Sequence, residues 1–141
     1  MIDTAGGITH PGILSCLASA GHFSQIVISD GNFPASVRRG PHTEVFYLGW
    51  RKGSPTVTEI LGVILPLARI QKVTMMQPLD GAASTPVHDE IQQLAGPSLP
   101  VQLRDRWAFY ELAESATTAG IIVTGDDRRF ANVIVEMAPV L

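Results

Sequence analysis

The sequence predicts an α/β fold in which a mostly parallel central sheet is flanked by helices within one domain of 141 residues. Helical and strand patterns alternate along the chain in the order α-β-β-α-β-α-β-α-β-β, which favours a layered α/β architecture. The strand candidates are continuous apolar runs, as expected of strands that are buried on both faces. A hydrophobic content of 45% suffices for a core of two or three layers, and the length suits a single domain.

Four segments carry helix signals. Each combines apolar residues spaced three or four apart with a recognisable start or end. Thr9 is the predicted N-cap of the first helix, with Pro11 in its first turn, and Thr56 with Glu59 forms a capping box before the second. The third starts at Thr85 and stops at a glycine. The predicted helices contain residues 11–20, 57 to about 65, 86–95 and 107 to about 115.

Six short apolar runs are the predicted strands. The first lies between a helix-terminating Gly21 and the turn residues Asp30, Gly31 and Asn32. A loop of small residues is predicted from Leu79 to Thr85. The strand candidates are residues 26–28, 44–48, 72–76, 101–103, 121–123 and 132–137.

Composition argues against several classes of partner. A net charge of −3 and a pI near 5.7 lack the electrostatic footprint of a nucleic-acid-binding protein. Residues 1–4 show no basic n-region, and no apolar run approaches the ~18 residues of a membrane span. With one cysteine, Cys16, no internal disulfide can form. We therefore expect a soluble cytoplasmic protein that binds neither nucleic acid nor membrane.

Only 16% of the residues are charged, which is low for a small monomer, so we expect part of the surface to be buried by self-association. The chain has no phosphate-binding glycine motif, no GxSxG elbow and no Cys or His spacing typical of a zinc site. The sequence thus predicts chemistry without a metal or another cofactor.

His22 and Asp30 lie at opposite ends of the first apolar strand. Ligands of open α/β sheets gather outside the carboxyl ends of the strands, where Asp30 is predicted. Asp30 could bind a ligand or only close an Asx turn, and His22 could transfer protons or bind the end of the first helix. His10, His42 and His88 are predicted as solvated surface residues.

The separation of His22 from Asp30 constrains any shared site. If residues 22–30 formed one straight strand, these two residues would be roughly 25 Å apart at ~3.3 Å per residue. Either residues 21–25 fold back, or His22 of one subunit serves Asp30 of a neighbour.

Two further segments offer polar side chains after predicted strands. Arg106 could donate a fork of hydrogen bonds to hydroxyl groups, or it could be a solvated charge at the edge of the sheet. Asn132 offers donors and an acceptor to a polyhydroxylated ligand, or it could tie down its own loop.

These segments together resemble the D-ribose pyranase and L-fucose mutarotase family of small sugar-anomer isomerases. The resemblance covers most of the chain, and the order and spacing of its motifs make it fairly specific. The motifs are Gly21-His22 before the strand that ends at Asp30, then Pro34, then Arg106-Trp107-Ala108-Phe109-Tyr110-Glu111, and finally Thr124-Gly125-Asp126 leading to Phe130-Ala131-Asn132.

The resemblance implies that the protein is a cofactor-free isomerase of a monosaccharide and forms a ring-like homo-oligomer with sites between subunits. It implies that His22 is the proton donor. The substrate-binding residues that it implies are Asp30, Arg106, Phe130, Ala131 and Asn132. Because Arg106 and the aromatic residues after it are similar to the fucose branch, L-fucose is the expected substrate, and D-ribose is the alternative.

Two positions depart from the family pattern. Phe130 stands where tyrosine is usual, and it has no hydroxyl group to relay a proton. Asp126 stands where glutamate is usual, which shortens the carboxylate arm by one methylene. A non-catalytic protein that binds a monosaccharide or assists its transport is therefore the main alternative, and a purely structural oligomer is the third.

Overall fold

A mixed sheet of six strands forms the middle layer of the protein in a computed structural model that describes residues 1–79 and 85–141. The sheet order is β2-β5-β1-β6-β3-β4. Strand β6 runs antiparallel to both of its neighbours, whereas the other neighbouring pairs are parallel, so the predicted mostly parallel sheet is confirmed. The strands are β1 (Gln25–Ser29), β2 (Glu44–Tyr47), β3 (Ile70–Met76), β4 (Val101–Arg104), β5 (Thr118–Val123) and β6 (Val133–Met137).

Four helices accompany these strands within the described part of the chain, and the elements follow the order that the sequence predicts. Residues 80–84 of the predicted small-residue loop lie outside the described residues. The helices are α1 (Pro11–Ser19), α2 (Val57–Ile64), α3 (Pro86–Ala95) and α4 (Arg106–Ala113).

The sheet is buried on both faces, which explains why its strands are continuous apolar runs. Along β1, the side chains of Ile26 and Ile28 enter a core cluster with residues of α1, α2 and α3. Val27 points to the other face and joins a second cluster with Phe109 and Ala113 of α4. The protein therefore has three layers, with α4 covering one face.

The predicted N-cap residue is confirmed at α2 but not at α1. The capping box of α2 is confirmed: the Thr56 hydroxyl accepts from the Glu59 amide at 3.1 Å, and the Glu59 carboxylate accepts from the Thr56 amide at 2.6 Å. The prediction of Thr9 as the cap of α1 is wrong. Nδ1 of His10 accepts from the Ile13 amide at 3.2 Å, because helical backbone begins at Pro11 and the residue before it occupies the cap.

The prediction of a solvated His88 is also wrong, because α3 packs this side chain against the sheet and leaves it only 1% exposed. Its Nδ1 accepts from the Thr85 amide at 3.3 Å, and its Nε2 donates to the Met76 carbonyl at 2.9 Å. Burial lowers the pKa of His88, so the folded protein holds the ring neutral.

We expect His88 to make folding stability depend on pH. Because an unfolded histidine takes up a proton near pH ~6.5 while the folded state resists it, the unfolded state binds more protons below that pH. Stability is then full above pH ~6.5 and falls as the pH drops towards the lower pKa of the folded state. In urea denaturation, His88→Gln should lose less free energy of unfolding between pH 7.5 and pH 5.5 than wild type. Equal losses in the two proteins would contradict this account.

Gly125 lies where the loop after β5 meets the loop before α2. The Gly53 amide donates to the Gly125 carbonyl at 2.6 Å, and the Gly125 amide donates to the Pro55 carbonyl at 3.0 Å. A Cβ atom at Gly125 would overlap the carbonyl oxygens of Arg51 and Ser54. Glycine is therefore required there by a close backbone approach.

Gly125→Ala should lower the free energy of unfolding by about 1–3 kcal/mol, because the overlap forces backbone movement. Gly62→Ala is the matched control. A Cβ at this α2 position would meet only Leu94 Cδ2 at 3.9 Å, so alanine should stabilise the helix by about 0.5–1 kcal/mol. Chemical denaturation of both variants checks the opposite signs, and destabilisation by Gly62→Ala equal to that by Gly125→Ala would count against the steric explanation.

Candidate functional site

An open pocket of about 270 Å³, here called the carboxyl-edge pocket, lies where β1 and β3 end. The antiparallel β6 begins at the same edge, so the loop before β6 also reaches the pocket. Helix α4 contributes its first turns, because it starts directly after β4. Residues that line the pocket include Asp30, Arg106, Tyr110, Arg129, Phe130 and Asn132.

Asp30 and Asn132 form a buried pair that links the end of β1 to the start of β6. Oδ1 of Asn132 accepts from the Asp30 amide at 3.0 Å, and its Nδ2 donates to Oδ2 of Asp30 at 2.9 Å. The Asn32 amide donates to Oδ1 of Asp30 at 2.8 Å, so Asp30 also closes an Asx turn. Each carboxylate oxygen keeps a second acceptor position, which a ligand hydroxyl can use.

The surroundings of Asp30 favour its neutral form more than water does. Burial raises the pKa of Asp30 and outweighs the hydrogen bonds from Asn32 and Asn132, which lower it. A carboxyl group in this state holds a proton to higher pH than a solvated aspartate.

Phe130 forms the floor of the pocket, and two arginine side chains lie over its ring. The guanidinium carbon of Arg106 lies 5.8 Å from the ring centroid of Phe130, and that of Arg129 lies 5.4 Å from it. The φ angle of Phe130 is +62°, a left-handed conformation that is uncommon for an aromatic residue. This turn lets the Asn132 amide donate to the Phe130 carbonyl at 2.8 Å and orients Asn132 towards Asp30.

The structure thus brings together four of the five substrate-binding residues that the resemblance implies. Ala131 is fully buried in the core beneath the turn, and its side chain does not line the pocket. Arg129 also lines the pocket, although it is not among the predicted site residues. Arg129 directly precedes Phe130 in the sequence, and this adjacency is the signal that could have identified it.

Two aromatic residues, Phe33 and Tyr110, line the pocket, and Trp107 contacts Tyr110 without lining it. The ring of Phe33 packs edge-on against Tyr110 at 5.5 Å, and Trp107 packs edge-on against Tyr110 at 5.8 Å. Trp107 is largely exposed, whereas Tyr110 is half-buried. Aromatic faces of this kind pack against the apolar faces of small ligands.

Asp126 has a structural role next to the pocket. Its carboxylate accepts from the Val57 amide at 2.9 Å and from the Arg128 guanidinium at 2.8 and 3.0 Å. Arg128 also binds Glu90 on α3 at 2.9 Å. Burial raises the pKa of Asp126, but the hydrogen bonds from Arg128 and Val57 outweigh it and lower the pKa overall. Asp126, one methylene shorter than the usual glutamate, therefore fixes the loop after β5 to α2 and, through Arg128, to α3.

His22 lies at the opposite, amino edge of the sheet. It is exposed, its ring stacks on Phe23 with 3.8 Å between ring centroids, and its Nε2 lies 3.1 Å from Oε1 of Gln71. It lines a separate groove, here called the amino-edge groove, with Cys16, His42 and Glu44 among others. The partner of His22 is a β3 side chain, so the hypothesis that it binds the end of α1 is not supported.

Residues 21–24 do turn, with the Ser24 amide donating to the Gly21 carbonyl at 3.0 Å. The turn directs His22 towards Gln71 of β3 and not along β1, which is extended from Gln25 onward. Of the two alternatives for a shared site, the one in which residues 21–25 fold back to bring His22 to Asp30 of the same chain is therefore not supported.

No cluster of three or more His, Cys, Asp or Glu side chains suited to a metal ion occurs in residues 1–79 and 85–141. Within the same ranges, no helix combines the length and apolar character needed to cross a membrane.

Comparison with known proteins decides the family. The model of the RbsD / FucU transport protein family matches residues 4–140. The chain belongs to the RbsD/FucU family. The family resemblance seen in the sequence is thereby confirmed.

Solved structures of similar proteins share the fold over nearly the whole length of this RbsD/FucU chain. FucU from Bifidobacterium longum is 29% identical, with 96% of this chain and 99% of that chain covered and a TM-score of 0.80. RbsD from Bacillus subtilis, solved with D-ribose, is 21% identical, with 100% and 99% covered and a TM-score of 0.83. The fucose mutarotase from Streptococcus pneumoniae, solved with L-fucose, is 21% identical, with 94% of each chain covered and a TM-score of 0.79.

The buried pair predicts a specific loss of stability. Asn132→Ala leaves the buried Asp30 amide without its acceptor, so the free energy of unfolding should fall by about 1–3 kcal/mol. Asn32→Ala is the matched control, because Asn32 binds Asp30 through its backbone amide and its side chain is exposed. This control should change stability by less than about 0.5 kcal/mol. Urea denaturation compares the two, and equal effects would show that the pair contributes nothing specific.

Proposed function

We propose that this protein is a cofactor-free sugar mutarotase that interconverts the anomers of a monosaccharide, with L-fucose as the expected substrate. Membership of the RbsD/FucU family supports an isomerase of the mutarotase or pyranase kind. The observation that carries the proposal is the composition of the carboxyl-edge pocket.

The carboxyl-edge pocket offers what a small saccharide requires. Asp30 and Asn132 provide acceptors and a donor for hydroxyl groups, and Arg106 provides a fixed fork of donors. The faces of Phe33 and Tyr110 can pack on the apolar C–H face of the sugar. A volume of about 270 Å³ lies near the lower limit of ligand sites, which suits a monosaccharide.

Mutarotation breaks and reforms the bond between the anomeric carbon and the ring oxygen. A proton reaches the ring oxygen and another leaves the anomeric hydroxyl, which gives the open-chain aldehyde. After the aldehyde rotates, both transfers reverse. The protons and electrons balance without an oxidant or reductant. We assign the proton transfer to His22, since an imidazole exchanges protons near neutral pH and such groups contribute about 10²–10⁴-fold to rates.

The proposal requires two subunits at each site, since His22 and Asp30 lie at opposite edges of the sheet. We propose that His22 of one subunit reaches the carboxyl-edge pocket of its neighbour in a homo-oligomer. The exposure of His22 and Trp107 and the low proportion of charged residues are compatible with such an interface.

L-fucose is preferred because Arg106 and the aromatic residues that follow it are similar to the fucose branch of the family. The guanidinium of Arg106 lies over Phe130 at the pocket floor, where it can donate to ring hydroxyls. RbsD from B. subtilis was solved with D-ribose and the S. pneumoniae mutarotase with L-fucose, so both sugars belong in the test.

A non-catalytic sugar-binding or transport accessory protein is the second candidate. Phe130 favours it, because the usual tyrosine hydroxyl is absent at the pocket floor. Such a protein needs Asp30, Arg106 and Asn132 but does not need His22.

Exchange NMR on the anomeric protons tests the two candidates. Wild type should accelerate anomer exchange of L-fucose more than that of D-ribose or D-galactose, and His22→Ala should reduce the acceleration by about 10²–10⁴-fold. His10→Asn is the matched control, because asparagine preserves the cap of α1 and His10 lies outside the carboxyl-edge pocket. This control should retain wild-type exchange rates.

Sugar-dependent thermal stabilisation without any acceleration of exchange would support the binding protein and overturn the mutarotase proposal. Faster exchange of D-ribose than of L-fucose would retain the isomerase but identify it as a pyranase.

A further inference from the structure

His22 is held at the amino edge by two neighbours that approach it from different directions. The Phe23 ring lies against one face of the imidazole, with 17° between the ring planes. Phe23 has a φ angle of +68°, and its amide donates to the Met137 carbonyl at 3.0 Å. An aromatic residue in the left-handed conformation is strained, so the surrounding structure must hold Phe23 in its position against His22. The second neighbour, Gln71, contacts the imidazole edge.

A β-bulge directs Gln71 towards His22. In the ladder between β3 and β6, Ile70 pairs with Met137 and Lys72 pairs with Glu136, so Gln71 is an extra residue. Adjacent side chains of a regular strand point to opposite faces. Here both Gln71 and Lys72 contact Glu136, at 2.8 Å and 3.1 Å. Bulges commonly re-aim side chains in this way beside functional sites.

Glu136 determines which end of the Gln71 amide faces His22. Burial raises the pKa of Glu136, but hydrogen bonds from Gln71 and Lys72 outweigh it, so the pKa is lowered and the carboxylate is ionised near neutral pH. An ionised carboxylate only accepts hydrogen bonds, so the NH₂ group of Gln71 must point to Glu136. Oε1 of Gln71 therefore faces Nε2 of His22 at 3.1 Å.

We propose that Gln71, oriented by Glu136, is a positioning residue that keeps the proton of neutral His22 on Nε2 and leaves Nδ1 to exchange protons with the sugar. Oε1 of Gln71 has no proton, so the contact at 3.1 Å is a hydrogen bond only when Nε2 carries one. Neutral imidazole then presents Nδ1 as the base, and the imidazolium presents Nδ1–H as the acid. The catalytic part of this inference rests on the proposed function, whereas the tautomer does not.

The other titratable groups near His22 leave this assignment intact. Lys72 is paired with Glu136 across the bulge. Cys16, His42 and Glu44 line the same amino-edge groove, but within residues 1–79 and 85–141 the His22 ring nitrogens form a hydrogen bond only with Gln71. The hydrogen-bonded chain from Glu136 through Gln71 to His22 therefore selects the tautomer.

Nitrogen-15 NMR of the histidine rings tests the tautomer directly, independent of any activity. At a pH where His22 is neutral, wild type should show a protonated Nε2 and an unprotonated Nδ1. Gln71→Met removes the acceptor at nearly constant size, so the two ring-nitrogen shifts should move towards each other as the tautomers mix. Gln102→Met is the matched control, because the Gln102 amide donates to Thr74 Oγ1 on the neighbouring strand and does not contact His22.

The exchange rate provides the second readout. If the proposed function holds, Gln71→Met should lower kcat by about tenfold with little change in KM, a typical effect of removing an orienting partner, and Gln102→Met should not. A wild-type spectrum with the proton on Nδ1 would overturn the inference, even if wild type is inactive or the variant is unstable. An unchanged His22 spectrum in folded Gln71→Met would overturn it as well. Absence of exchange in wild type, with the expected spectra, would reject the proposed function alone.

Discussion

The extended backbone of β1 is the constraint on which the site depends. All five of its residues pair with β5 and four of them also pair with β6. All five are buried, so the strand cannot bend to bring its two ends together. His22 therefore stays at the amino edge and Asp30 at the carboxyl edge. A mechanism that uses both residues on one sugar needs a neighbouring subunit, and the proposed function links catalysis to assembly for this reason.

The antiparallel strand β6 gives both edges their polar networks. Asn132 immediately precedes it and binds Asp30 at the carboxyl edge, while Glu136 near its other end binds Gln71, which in turn contacts His22. One strand thus orients a side chain in each half of the proposed site. Each half also contains an aromatic residue with a positive φ angle. Phe23 stacks on His22 at the amino edge, and the Phe130 carbonyl accepts from the Asn132 amide at the carboxyl edge.

The local features of the chain were predictable from the sequence, because apolar runs, the capping box at Thr56 and the turn after β1 depend on residues close in sequence. The location of Asp30 at the carboxyl edge followed from strand direction. Burial of His88 and the contacts of Asp126 were not predictable, because they depend on how α3 and α2 pack against distant segments. The β-bulge that presents Gln71 leaves no mark in a single sequence, since it depends on the register with β6.

Mixing two variants that should each be inactive tests the central claim most directly. His22→Ala retains the carboxyl-edge pocket, and Asp30→Asn retains the amino-edge histidine, so neither protein alone has a complete site. If sites form between subunits, an equal mixture that has exchanged subunits should recover about a quarter of the wild-type rate of anomer exchange, since random pairing gives that share of sites with both native residues. No recovery in a mixture shown to contain hybrid oligomers would contradict the account.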